Sequence, residues 1–377
     1  MSRLRAGVLG IGQMGHRHAR VLSRLEGVEL IGVADPQGDR FGCARGARVV
    51  RTLDALLGLG LDLCVVAVPT ADHEEAGIRL AGMGVHTLIE KPLAQDVAAA
   101  GRLVRAFERT GLVGCVGHIE RCNPALVSLR SRLEAGELGT IFQIATRRQS
   151  PFPERIRDVG VVNDLATHDI DLTAWVAGSP FSSISARTAH TSGREHEDLV
   201  AATGLLADGT ITNHLVNWLT PMKERITVIT GERGCFVANT LTADLIFYAN
   251  GRVLTDWEAI SQFRGVSEGD MIRYAIPRPE PLYVQLAAFR DAVLGRPGGV
   301  VVPLRDGLAA VRIAQACLSS ARRGVTIDLE PLAAGRAPAR TRAWSNESRR
   351  PEDAEAAAPA SSAIAVRKRE GSAAPAS

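Results

Sequence analysis

Gly7-Val8-Leu9-Gly10-Ile11-Gly12-Gln13-Met14-Gly15 is the stretch on which the reading of this 377-residue chain turns. It joins a short apolar run over residues 5–10, strand-like in character, to a helical pattern over 13–25. A lone G-x-G-x-x-G carries little weight. Here the glycines link a strand to a helix, and an acidic residue, Asp35, ends the next strand about twenty residues beyond Gly15. Together these features make the dinucleotide-binding fingerprint. Gly10 allows the tight turn. Gly12 lets the backbone approach a pyrophosphate seated on the helix N-terminus, and Gly15 lets the helix pack close to the sheet. Gln13 and Met14 complete the turn and are expected to line the cofactor. Asp35 can accept hydrogen bonds from the adenosine ribose hydroxyls and would repel a 2′-phosphate, so NAD is favoured over NADP; Arg40, close by in sequence, pulls the other way.

Further strand patterns at 28–34, 61–68, 85–89 and 112–117 alternate with helical ones at 53–57, 71–83 and 96–110. Continuous apolar strands separated by helices predict a doubly wound parallel sheet covered on both faces, a Rossmann domain over residues 1–120. Ligands bind beyond the carboxyl ends of such strands. That rule places Thr70, His73 and Glu90 in the expected cofactor set, with Lys91 on the same edge in Glu90-Lys91-Pro92. Lys91 stands out for a second reason. The chain has 44 Lys plus Arg, yet only Lys91, Lys223 and Lys368 are lysines. Arginine stays charged at any working pH, whereas a lysine ammonium can lose its proton when buried or set beside another cation.

Over residues 121–330 the pattern changes to an α+β domain. A helix-like stretch at 124–137 leads into alternating strands at 142–146, 183–189, 210–217, 225–230 and 245–248. These predict a large, open, mainly antiparallel sheet with one packed face and one free for substrate or for a homodimer or homotetramer contact. Ahead of most of these strands lies the densest ionisable cluster, Asp164-Leu165-Ala166-Thr167-His168-Asp169-Ile170-Asp171. On a helix, Asp164 and His168 share a face at i and i+4, so the carboxylate can orient the imidazole as a general base, with Asp171 supporting it from below. An ordinary capped helix start is the plain alternative. No third histidine or cysteine stands near, so no metal is expected. Glu195-His196-Glu197-Asp198 reads as a solvated loop, and His16 with His18 as structural or near the cofactor.

Composition narrows the classes. The chain is 46% hydrophobic and 23% charged, as in soluble globular proteins. No apolar run reaches the ~18–20 residues needed to cross a membrane, and the start lacks the apolar core of a secretory signal, so a cytoplasmic location is expected. Six cysteines without C-x-x-C spacing are expected to be reduced thiols. The net charge of +3 lies entirely in residues 331–377, leaving 1–330 neutral and giving no basic face for nucleic acid. That tail is almost empty of large apolar residues and is expected to be disordered.

The fingerprint GVLGIGQMG, the VADP segment, Glu90-Lys91-Pro92, and Asp164 with His168 four residues on resemble the Gfo/Idh/MocA oxidoreductases, nicotinamide-dependent sugar and inositol dehydrogenases. The resemblance covers roughly residues 4–330 and implies a catalytic set of Lys91, Asp164 and His168. GHIERCNPA (117–125), DVGVVNDLATHDIDL (158–172) and NWLTPMKER (217–225) are similar to the UDP-N-acetylglucosamine 3-dehydrogenase and UDP-N-acetylglucosaminuronate dehydrogenase branch, with Cys122 where that branch usually has phenylalanine. The resemblance implies oxidation of a secondary hydroxyl on a sugar or nucleotide sugar, at C3 for a UDP-N-acetylhexosamine. Arg148, Arg155 and Arg225 are candidates to meet a substrate diphosphate or carboxylate. The alternatives are an inositol or free-sugar dehydrogenase and, from another class, a non-catalytic NAD-binding regulator.

Overall fold

The computed structural model describes residues 3–153, 159–251, 267–330 and 332. Arg155 and nearly all of the tail lie outside the described residues. The first half alternates strand and helix: β1 (Leu4–Leu9), α1 (Gly15–Leu22), β2 (Val28–Ala34), β3 (Arg48–Val50), α2 (Leu53–Leu57), β4 (Leu63–Val66), α3 (His73–Gly82), β5 (His86–Ile89), α4 (Val97–Thr110) and β6 (Gly114–Val116). The strands form one parallel sheet in the order β3-β2-β1-β4-β5-β6. Every residue of β4 is buried, which requires cover on both faces. Leu80 of α3 and Leu103 and Phe107 of α4 cover one face; Ala19 and Leu22 of α1 cover the other. Local chemistry sets the helix ends. The Asp96 side chain accepts the N–H of Ala99 at the start of α4, and Gly111, at φ +68°, ends that helix in the left-handed region.

The second half contains α5 (Pro124–Glu134), β7 (Ile141–Pro151), a π-helical turn (Val162–Ala166) that runs into α6 (Thr167–Ala177), and the strands β8 (Phe181–Ala189), β9 (Leu199–Leu206), β10 (Ile211–Asn217), β11 (Leu219–Gly231), β12 (Gly234–Asn239), β13 (Asp244–Gly251) and β14 (Ser267–Arg273). Two helices and a short strand follow: α7 (Pro281–Val293), α8 (Leu304–Arg323) and β15 (Ile327–Asp328). Among the described residues the sheet has nine strands, ordered β14-β13-β12-β11-β7-β10-β9-β8-β15. Only the central β7–β10 pair is parallel, so the sheet is mixed and mostly antiparallel. Burial alternates along its strands. Thr212, His214 and Val216 point inward, while Ile211 and Leu215 on the opposite face are exposed.

The sequence patterns leave α7 and α8 unread. Leu282, Leu286 and Phe289 of α7 pack in the same cluster as β1 and α1. Helix α8 joins two cores: Leu304, Leu308 and Val311 pack with α4, and Ile313, Ala314 and Cys317 with β8 and β9. The chain thus returns to the parallel sheet after building the second one.

Candidate active site

Lys91 lies two residues past the end of β5, at the carboxyl edge of the parallel sheet. Its Nζ donates to the main-chain oxygen of Asp164 at 2.7 Å and to Asp164 Oδ1 at 2.9 Å. This contact joins the first sheet's edge to the π-helical turn in the second half. The sequence predicts a plain helix there, with Asp164 orienting His168. The structure corrects that expectation. Residues Val162–Ala166 form a π turn, and the Asp164 carboxylate is held by Lys91. Asp164 spends Oδ1 on Lys91. Its Oδ2 and His168 Nδ1 are both enclosed and have no hydrogen-bond partner among the described residues. Asp171 does not support His168 either: it takes a bidentate pair from Arg121, at 2.9 and 2.6 Å.

A second correction explains how the turn is held. The run Glu195–Asp198 is not simply solvated, because Glu197 and Asp198 are buried. Glu197 Oε1 accepts the N–H of Val162 at 3.0 Å, and its main-chain oxygen accepts that of Val161 at 2.9 Å. A Cβ at Gly160 would lie 2.0 Å from that carboxylate, so only glycine lets it approach the start of the turn.

His168 sits in a cationic surrounding. Burial first, then the charges of Lys91 and Arg148, with His118 and Arg225 adding to them, push its pKa well below the ordinary histidine value. The imidazole is therefore neutral near pH 7 and able to take a proton.

Several expected ligand contacts have other duties here. His73 is buried, with Nδ1 3.0 Å from the Pro92 carbonyl oxygen and Nε2 3.1 Å from that of Val68. It braces the Lys91 turn from below. Glu90 is likewise turned inward, with Oε1 2.7 Å from His18 Nε2 and Oε2 accepting the Lys91 N–H at 3.1 Å. Arg148 is buried and donates to Asp169 at 2.8 Å and Glu120 at 2.9 Å, so it belongs to an internal ion network. Arg225 stays half-buried near His168, its Nη1 donating to the carbonyls of Gln149 and Glu224. Burial and the neighbouring Arg148 press its pKa down to about 10, and it remains a cation at neutral pH.

The residues of the first turn fit a dinucleotide. Gly10 has φ +81°, and a Cβ there would meet the Ala67 oxygen at 2.7 Å. A Cβ at Gly15 would lie 1.8 Å from the Gly10 oxygen, whereas one at Gly12 would meet nothing within 4 Å. The turn is thus closed beneath and open above, where a pyrophosphate would rest. Met14 caps α1 without a side-chain hydrogen bond, which leaves the helix end open to an anion. The Asp35 carboxylate accepts the N–H groups of Ile11 at 3.0 Å and Gln37 at 2.9 Å, and is only half-buried at the end of β2. Gln13 is exposed and Thr70 half-buried in the turn after β4.

The sequence matches two family models: the oxidoreductase family with NAD-binding Rossmann fold over residues 4–118, and the GFO/IDH/MocA C-terminal domain over 126–237. The chain belongs to the Gfo/Idh/MocA oxidoreductase family. Among curated Gfo/Idh/MocA relatives, UDP-N-acetylglucosamine 3-dehydrogenase of Acidithiobacillus ferrooxidans is 32% identical over 216 residues, which is 56% of this chain and 66% of that one. Its solved structure superposes with a TM-score of 0.73 at 26% identity, covering 86% of this chain and 99% of that one. The scyllo-inositol 2-dehydrogenase (NAD(+)) of Bacillus subtilis is 28% identical over 193 residues, 48% of this chain and 56% of that one. The WlbA dehydrogenase of Bordetella pertussis, solved with NADH and UDP-GlcNAcA, gives a TM-score of 0.70 at 25% identity, covering 88% and 99%. The aligned stretches of the two curated sequences thus span under two thirds of those relatives' lengths.

Sequence reasoning passed over one buried histidine close to Lys91 and His168. His118 is 1% exposed, with Nδ1 3.8 Å from Asp171 Oδ2, and neither ring nitrogen has a hydrogen-bond partner among the described residues. Burial and the charges of Arg121 and Lys91 outweigh Asp171 and hold its pKa below the ordinary histidine value. The signal was its place directly after the strand pattern at 112–117, on the same sheet edge as Lys91.

Proposed function

We propose that this chain is an NAD-dependent dehydrogenase that oxidises a secondary hydroxyl of a sugar, a UDP-N-acetylhexosamine or its uronate at C3. The observation that carries the reading is Lys91, at the carboxyl edge of a dinucleotide fold, gripped by Asp164 from the turn that leads into the helix bearing His168. His168 takes the hydroxyl proton. Lys91 donates a hydrogen bond to the same oxygen and stabilises its developing negative charge. Asp164 holds the ammonium in place. NAD, when bound, supplies the acceptor for the hydride that leaves the hydroxyl carbon. Gly10, Gly12 and Gly15 admit its pyrophosphate, and Asp35 holds its adenosine ribose and disfavours NADP.

Residues 1–120 hold the cofactor and 121–330 supply the substrate face, where Arg225 is the cation placed to meet a diphosphate or carboxylate. The nucleotide-sugar class is supported by the relatives that act on or bind such molecules. The exposed side of the nine-stranded sheet, with Leu205, Ile211 and Leu215, is the face we assign to a homo-oligomer contact. No helix among the described residues is long and apolar enough to cross a membrane, and we assign the enzyme to the cytoplasm.

The test is NADH formation from a panel of UDP-sugars, inositols and free sugars. Turnover of a UDP-N-acetylhexosamine supports the reading. Activity on inositols alone would select the other branch of relatives. Tight NAD binding with no turnover across the panel would select a regulator.

A further inference from the structure

The Lys91 turn is anchored by a buried pair that the proposed chemistry does not use. His18 lies on α1, the helix that opens from the glycine turn, and is completely buried. Its Nε2 donates to Glu90 Oε1 at 2.7 Å, while the other oxygen of that carboxylate accepts the Lys91 N–H at 3.1 Å. Both oxygens are thus committed, one to the cofactor helix and one to the Lys91 backbone. The floor of the pair is Gly117, where a Cβ would lie 3.0 Å from the Glu90 carboxyl. On the far side of the turn, His73 rests against the carbonyl oxygens of Pro92 and Val68.

We propose that His18 is a positioning residue for Lys91, acting through Glu90 and tying the lysine to the helix on which the dinucleotide pyrophosphate would rest. This inference rests on the dehydrogenase reading for its kinetic consequence but not for its geometric one. Stability alone is a poor reason for the pair. Strands β1, β4 and β5 already link these elements through the parallel sheet, and a buried polar pair seldom outperforms apolar residues of similar volume. What the pair adds is placement. It fixes the backbone N–H of Lys91 while the side chain reaches Asp164. Burial pushes the Glu90 pKa up, but the His18 hydrogen bond and charge, with Lys91 adding to them, outweigh it and keep the carboxylate ionised.

The test compares His18→Phe, His18→Gln and Glu90→Gln in the full chain. Each variant is first checked for a cooperative melt and NAD binding. Turnover is then measured, together with reductive methylation of Lys91 read by mass spectrometry, which is clean because the chain has only three lysines. His18→Phe and Glu90→Gln should lower kcat on the order of 10²-fold, as for a misplacement of about 1 Å. The sugar KM should stay within about threefold, because placement and not binding is lost. Lys91 should methylate faster in both. His18→Gln, whose amide still donates, should restore most of the turnover. In a Lys91→Met background, His18→Phe should lower the residual rate no further. A folded, NAD-binding His18→Phe variant with kcat within about threefold of the parent, or with unchanged Lys91 methylation, would overturn the inference. If the parent forms no NADH from any sugar, the dehydrogenase reading fails, and the methylation rates still decide the positioning role.

Discussion

Replacing Lys91 by arginine keeps the charge and removes the compact ammonium. The Nζ atom lies 2.7 Å from one acceptor and 2.9 Å from another, both on Asp164, at the end of a side chain only 17% exposed. A guanidinium is a wider, planar fork, and its donors cannot occupy the point that Nζ occupies while the backbone stays clamped by Glu90. Displacing a reacting group by about 1 Å costs on the order of 10²-fold in rate. Losing one donor aimed at a developing oxyanion costs about 10²–10³-fold, or ~2.7–4 kcal/mol. Lys91→Arg should therefore lower kcat by about 10²–10³-fold with NAD affinity preserved. NADH absorbance on the best sugar of the panel gives the rate, and fluorescence titration gives cofactor affinity. A variant with kcat within about threefold of the parent would refute the reasoning, because any cation would then suffice at this position.

Gly12→Ala should leave the melting temperature unchanged, since a Cβ there meets nothing, but weaken NAD binding at least about tenfold where the pyrophosphate must approach. Gly15→Ala should instead destabilise the fold by about 1–3 kcal/mol, because its Cβ would lie 1.8 Å from the Gly10 oxygen; equal melting temperatures for the two variants would contradict this. The pH profile of kcat/KM should stay flat from about pH 7.5 to about 6.5 and fall only below that, since His168 must be neutral to accept a proton and its pKa is held well below the ordinary value. A half-loss at about pH 6.5 in that profile would point to an ordinary histidine. Burial lowers the His214 pKa to about 4. The unfolded chain therefore binds this proton first, and the stabilisation is complete above about pH 6.5 and lost as the pH falls through the folded value. Denaturant midpoints should show His214→Gln removing up to ~2 kcal/mol of the stability change between about pH 6.5 and 5; identical slopes for variant and parent would argue against it.

The parallel sheet was legible because its signals are local. A glycine turn, an acidic strand end and continuous apolar strands each occupy a few adjacent residues, and Lys91 announced itself through both scarcity and position. The second half was legible in kind but not in count. Strands β9 and β12 carry apolar residues on both sides, Leu205 and Val237 among the outward ones, so their alternation is weak. Helix α7 had a usable signal in Leu282, Leu286 and Phe289, spaced for one helical face. The partnerships at the site were not legible. Asp164 serves Lys91, 73 residues away in sequence, and the turn that carries Asp164 is held at its start by Glu197, more than thirty residues beyond it. Glu90, His73 and Arg148 were singled out as site residues, but their partners come from other elements, and spacing along one segment cannot show those.

Deuterium transfer from a UDP-N-acetylhexosamine labelled at C3 tests the central claim most directly. The account predicts that the parent protein forms NADH carrying that deuterium, as read by mass spectrometry, and that Lys91→Met and His168→Ala bind NAD yet transfer almost none. Unlabelled NADH would contradict oxidation at C3. Undiminished transfer in either variant would contradict the roles assigned to Lys91 and His168.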